Sequence, residues 1–129
     1  MNVARIIFGI IYLLGAGFNI FLVVSTGWQS YTGFADGSFL PWYREAWRAI
    51  AAPNITLIVV LLIVFEICLG LLFIINRKFL KIALILGIIF CLASMPTMVQ
   101  AIYTNLPLAL IQAFMLWKEC RNRSVLKSA

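Results

Sequence analysis

Long apolar stretches alternate with short polar ones along this chain, and their lengths predict its elements. Four runs have the character of membrane-crossing helices: about Val3–Ser25, Asn54–Ile75, Ile82–Tyr103 and Leu106–Trp117. A spanning helix needs roughly 20 mostly apolar residues. The fourth run is too short as it stands, so it is expected to extend over about 105–120, with Lys118 and Arg121 snorkelling to the interface. Asn54, after Pro53, can cap the second helix, and Thr104–Pro107 offers a cap with a proline in the first turn of the fourth. Pro96 falls inside the third run, where it should kink the helix and free a backbone carbonyl. The first run is longer than the apolar core of a signal peptide and has no small-x-small site after it, so it reads as a retained helix.

The one substantial polar segment, 26–53, is also rich in aromatics. From Pro41 the pattern predicts a short helix over about 41–50, with Tyr43, Trp47 and Ile50 on one face and Arg44 and Arg48 turned away. Trp28, Trp42, Tyr43 and Trp47 then form either an interfacial belt or a lid over a cavity between the helices. The expected fold is all-α: one integral membrane four-helix bundle over 1–129, with a short interfacial helix in its outer connection.

Composition agrees. The 129 residues are 64% hydrophobic and only 11% charged, against about half and a quarter in soluble domains. No soluble fold of this size has interior enough to hide so much apolar surface. Eight of the ten cations (Arg5, Arg77, Lys78, Lys81, Lys118, Arg121, Arg123 and Lys127) fall on one side of a four-helix threading. The positive-inside rule puts that side, with both termini, in the cytoplasm, in what is expected to be a bacterial inner (plasma) membrane. The net charge of +6 thus signals topology and attraction to anionic lipid on the cytoplasmic side, not nucleic-acid binding. There is no histidine, and the three cysteines (Cys68, Cys91 and Cys120) form no CxxC. Neither a metal site nor a disulfide framework is expected.

Polar and small residues recur at about seven-residue spacing, which keeps them on one seam of a left-handed bundle: Arg5, Tyr12 and Asn19; Gly87, Ser94 and Ala101; Asn105, Gln112 and Glu119. Such seams are how any membrane bundle holds together. Glu66 stands apart. It sits near the middle of its apolar run, where a charged side chain costs at least about 2.5–3.5 kcal/mol. Tyr12, Asn19 and Gln112 lie at reachable depth, Arg5 is a longer reach, and Gly70, one turn on, leaves room for a helix or a ligand. These six are the candidate ligand or proton site, with Glu66 either a structural hydrogen-bonding group or a functional one. No catalytic group stands out.

"RIIFGIIYLLGAGFNI" (5–20) and "FEICLGLLFIINR" (65–77) resemble the first and second helices of the DoxX-like family of small membrane proteins, the second by its glutamate followed four residues on by glycine. The resemblance implies an accessory subunit of quinone- or thiol-linked oxidoreduction, with a quinone as cofactor and a membrane oxidoreductase as partner. Two departures are Asn19, where many members carry lysine, and the absence of histidine. No motif for an intrinsic electron carrier is present, so catalysis would need a partner or a bound cofactor. Three functions follow: a bundle holding a small hydrophobic ligand (quinone or lipid) beside Glu66 for a redox partner; a small proton-coupled transporter; or a non-catalytic interaction or immunity protein using the outer aromatics. Homo-oligomerisation is open.

Overall fold

The computed structural model describes residues 2–75, 77–97 and 99–128, with side chains as far as Ser124. Five α-helices account for most of it: α1 (Asn2–Thr26), α2 (Pro41–Ala46), α3 (Ile55–Ile75), α4 (Leu80–Ser94) and α5 (Val99–Ser128). Among the described residues there is no strand. Four helical segments, Asn2–Thr26, Pro41–Ile75, Arg77–Thr97 and Val99–Ser124, are long and apolar enough to cross a membrane. Their outer faces carry exposed Leu, Ile and Phe, such as Leu14, Phe18, Phe21, Leu110 and Phe114. In water such a surface would aggregate, whereas in lipid it is solvated. The chain is an integral membrane helical bundle.

Local chemistry explains how the segments join. Gly27 ends α1 by adopting φ +77°, with its N–H on the Val23 carbonyl at 2.9 Å. A side chain there would strain the turn. The chain then folds back through a 3₁₀ turn, Trp28–Tyr31, against α1 and α3. α2 starts on Pro41, whose missing N–H costs nothing in a first turn. Asn54 does not cap the second span: the chain stays helical through Pro53, passing a π-helical turn at Trp47–Ala51 and a 3₁₀ turn at Ala52–Asn54. Pro53 can give no hydrogen bond, and the wider turn before it absorbs that loss while the Asn54 amide donates to the Ile50 carbonyl at 2.9 Å.

The third and fourth spans divide differently from the expected 82–103 and 105–120. α4 stops at Ser94, the chain turns at Met95–Thr97, and α5 runs without a break through Pro107. Ser94 Oγ donates to the Phe90 and Cys91 carbonyls, and Thr97 Oγ1 to the Ser94 carbonyl. These side chains take up carbonyls that would otherwise continue the helix, and Pro96 supplies no N–H to restore it. No helix starts at Thr104–Pro107, where a cap was expected, and Asn105 of that stretch reaches across to Ser94 Oγ at 2.9 Å. Pro107 is then tolerated inside a membrane helix, as prolines there commonly are.

The helices pack as two antiparallel pairs, α1 with α3 and α4 with α5. In the first pair Gly9 and Gly70 face each other: a methyl on Gly70 would sit 2.9 Å from the Gly9 carbonyl oxygen and 2.8 Å from Leu13 Cγ. Lipid gives helices no hydrophobic reason to associate, so close backbone approach of this kind supplies the contact. The pairs are joined in the half of the bundle that holds the termini, where Phe8, Leu69, Phe73, Leu80, Leu84 and Met115 form a buried cluster. At that basic end Glu119, with only 4% of its side chain exposed, receives Arg123 Nε at 3.2 Å and has Arg77 at 3.9 Å.

Candidate functional site

In the half nearer α2 the two pairs are not filled by side chains, and a cavity of about 510 Å³ lies between them. Glu66 of α3 points into it. Glu66 is eleven residues from the start of α3 and nine from its end, placing it near mid-helix, and it is buried. Its Oε2 accepts from Asn19 Nδ2 of α1 at 2.7 Å, and its Oε1 lies against Gly15, where a Cβ would come within 2.9 Å. Gly15 is thus the space that lets the carboxylate rest on α1.

The Asn19 side chain relays outward. Its Oδ1 accepts the Tyr31 hydroxyl at 2.7 Å, and the carbonyls of Tyr31 and Thr32 accept Trp47 Nε1 at 3.3 and 3.1 Å. Burial, with the Glu66 carboxylate adding to it, pushes the Tyr31 phenol above its ordinary pKa, so it keeps its proton and donates. Glu66, Asn19, Tyr31 and Trp47 therefore form one chain of bonds from mid-membrane to the connection. Trp47 stacks with Tyr43 at 6.4 Å, and the Tyr43 hydroxyl donates to the Ala93 carbonyl at the end of α4 at 3.2 Å. The α2 segment is thus tied to both helix pairs over the cavity. Tyr31, Phe34, Tyr43, Trp47 and Phe90 form its aromatic walls, and Ser94, Thr97, Gln100, Thr104 and Asn105 a polar side on the α4–α5 hairpin.

Of the six residues expected around the carboxylate, only Glu66 and Asn19 meet there. Tyr12 and Gln112 form a separate node: Gln112 Nε2 donates to Tyr12 Oη at 3.0 Å, and the phenol reaches the Gly87 carbonyl at 3.3 Å. Two helical turns separate Tyr12 from Asn19, about 10 Å along the axis, and Gly87 on α4 supplies the gap that Gln112 fills. Arg5 is some 21 Å along α1 from Asn19; its Nε is buried without a hydrogen-bond partner, and it does not line the cavity. The room beside Gly70 is taken by Gly9 and Leu13, so it is a helix contact and not ligand space. Of the four aromatics offered as a lid, Tyr43 and Trp47 line the cavity. Trp28 packs on the Tyr31, Ile55 and Val59 cluster instead, and Trp42 is 63% exposed on the far side of α2. Cys68 faces outward while Cys91 is buried beside Tyr12 and Gln112.

Sequence reasoning did not offer Tyr31, Phe34 or Phe90 as cavity residues, nor the polar side at Ser94, Thr97, Gln100, Thr104 and Asn105. The reversal at Gly27, which brings Tyr31 back over Asn19, was the one available signal for the first two. Among the described residues, no group of three or more His, Cys, Asp or Glu converges as metal ligands would. Comparison with known proteins gives no matching family model, no similar curated protein and no similar solved structure.

Proposed function

We propose that this protein is a DoxX-like bundle of a bacterial inner membrane that holds one small, largely apolar molecule between its helix pairs, with a polar head at Glu66. The carrying observation is the cavity itself: a space of about 510 Å³ with aromatic walls, ending on a buried carboxylate. Pockets that are mostly apolar with a few convergent polar groups are the usual form of small-molecule sites. The concentration of cations at the end opposite α2 supports placing both termini in the cytoplasm, beside anionic lipid, with the cavity in the outer half of the bilayer. Service to a membrane redox partner is the wider role that the resemblance implies.

A quinone, the cofactor that resemblance suggests, presents two carbonyl acceptors and needs donors. The hydroxyls of Tyr31, Tyr43, Ser94, Thr97 and Thr104 and the Trp47 indole N–H all donate within the protein. The unspent donors are the Gln100 amide and one hydrogen each on Asn19 and Asn105. They are fewer than the acceptors that share the space with them, so the lining suits a quinone head less than a ligand that brings donors.

Filling the cavity tests the ligand reading. Leu62 lines it, and Leu62→Trp should occupy it. Native mass spectrometry of protein released from lipid nanodiscs should show a discrete small-molecule or lipid adduct on the wild type that is lost in Leu62→Trp. Identical adduct spectra for the two would refute the reading.

A further inference from the structure

We infer that the occupant of this cavity is a lipophilic organic cation, an amine or quaternary onium head on an apolar body, with Glu66 as its counter-ion. The inference rests on the cavity being a ligand site and names its chemical class. Three observations carry it.

The first is the balance of hydrogen-bonding groups. Hydroxyl and indole donors around the cavity are spent on backbone carbonyls or on Asn19, as described above, and one amide hydrogen each of Asn19 and Asn105 is spent on Glu66 and Ser94. This leaves the Gln100 amide and the second hydrogens of those two asparagines as the unspent donors. What faces the space is an excess of acceptors: the Glu66 carboxylate, hydroxyl lone pairs and side-chain amide oxygens. Such a lining suits a ligand that brings donors or positive charge and resists one that brings carbonyls, phosphate or carboxylate.

The second is charge. Among the described residues Glu66 has no ion-pair partner, and no Lys or Arg lines the cavity. The contrast with the other buried carboxylate is direct, since Glu119 lies between Arg77 and Arg123. A carboxylate at mid-membrane with only a neutral amide on it is a half-made ion pair, and in a low-dielectric site a cation completes it.

The third is the aromatic wall. Cations bind over the faces of Trp, Tyr and Phe, and aromatic boxes are a recurring way to hold quaternary ammonium groups. Here Trp47 and Tyr43 stack at 6.4 Å and Tyr31 and Phe34 at 5.3 Å, all bordering the same space. The Asn19–Tyr31–Trp47 relay fixes these rings relative to the carboxylate.

The test uses tetraphenylphosphonium, a permanent lipophilic cation, and a neutral short-chain naphthoquinone as probes. Full-length protein is placed in nanodiscs of zwitterionic phosphatidylcholine, and binding to empty discs is subtracted. Saturable phosphonium binding is expected. It should fall on the order of tenfold or more in Glu66→Gln, which removes the charge and keeps the shape, and several-fold in Trp47→Leu. Tyr31→Phe, which keeps the ring, and Glu66→Asp, which keeps the charge, should each bind better than Glu66→Gln. Melting of each variant followed by circular dichroism separates lost binding from lost fold, and should Glu66→Gln fail to fold, the Glu66→Asp and Trp47→Leu comparison decides. Phosphonium binding that is equal in wild type and Glu66→Gln overturns the inference. Saturable quinone binding without phosphonium binding overturns the cation class and leaves the cavity reading standing. Binding of neither probe overturns the inference, while loss of the native adduct in Leu62→Trp would still report on the cavity.

Discussion

Gly87→Ala is the sharpest structural prediction, because one methyl meets a fully buried side chain. A Cβ on Gly87 would overlap Gln112 Oε1 and lie 2.8 Å from Tyr12 Oη. Gln112 is completely buried, so its amide has nowhere to retreat. Three bonds depend on the present geometry: Gln112 to Tyr12 at 3.0 Å, Gln112 to Cys91 Sγ at 3.8 Å, and Tyr12 to the Gly87 carbonyl at 3.3 Å. At a mean of about 0.6 kcal/mol per bond inside membranes their loss comes to roughly 2 kcal/mol. Overpacking a filled interior costs about 1–3 kcal/mol. Because the two effects overlap, Gly87→Ala should destabilise the bundle by about 2–4 kcal/mol. The same change at Gly17, with nothing within 4 Å of an added Cβ, should stay within about 0.5 kcal/mol of wild type. Reversible unfolding in mixed micelles with rising SDS, followed by helical circular dichroism, measures both. A second cycle isolates the cause: in a Gln112→Ala background the penalty at Gly87 should fall by more than half. A Gly87→Ala protein as stable as wild type, or a penalty unchanged in that background, would refute the packing argument.

Gly70→Val should separate α1 from α3, since even a Cβ there meets the Gly9 carbonyl at 2.9 Å and Leu13 at 2.8 Å. A loss of at least about 2 kcal/mol is expected in the same SDS titration, and a neutral effect would mean that the pair is not held by close backbone approach. The cysteines give a map of exposure: Cys68 and Cys120 are exposed and Cys91 is buried. In lipid a maleimide should therefore label Cys120 alone in the folded protein, since Cys68 faces hydrocarbon where its thiol is not ionised. The other two should be reached only after denaturation, and fast labelling of Cys91 in the native state would contradict its place between Tyr12 and Gln112.

Much of this architecture could be read in the sequence, because lipid imposes simple rules. Apolar run length gave the first helix to within a residue or two, and seven-residue seams placed Tyr12, Gln112 and Glu119 in the interior, where they are buried. The pairing of Asn19 with Glu66 follows from the same seams. What could not be read depends on competition at single residues. Polar residues are scattered over 94–107 (Ser94, Thr97, Gln100, Thr104 and Asn105), so hydropathy alone does not choose between Pro96 and Pro107 as the turn. The choice of Pro96 over Pro107 as the turn depends on Ser94 and Thr97 bonding back to carbonyls while Asn105 is drawn away to Ser94. The roof of the cavity was hidden for a related reason. Tyr31 meets Asn19 only because Gly27 reverses the chain, and no periodicity carries across a reversal.

The bundle contains two answers to the problem of holding helices together with polar side chains, and their difference bears on what Glu66 is for. Gln112 joins α1, α4 and α5 through a neutral amide bonded to a phenol and a thiol. A hydrogen-bonded neutral amide at that depth costs less to bury than an unpaired charge. Glu66 bridges α3 to α1 through one amide bond, at an insertion cost of at least about 2.5–3.5 kcal/mol that a bond of about 0.6 kcal/mol does not offset. A glutamine at 66 could make the same bond to Asn19 without that penalty. As glue alone the carboxylate is the poorer choice, and Gln112 shows that this bundle can use the better one. On the reading proposed above, the charge serves something in the cavity that is held more tightly because it is there. It follows that Glu66→Gln should leave the protein at least as stable as wild type in the absence of ligand while losing the cation. A substitution that stabilises the fold and abolishes binding is the signature of a residue placed for function.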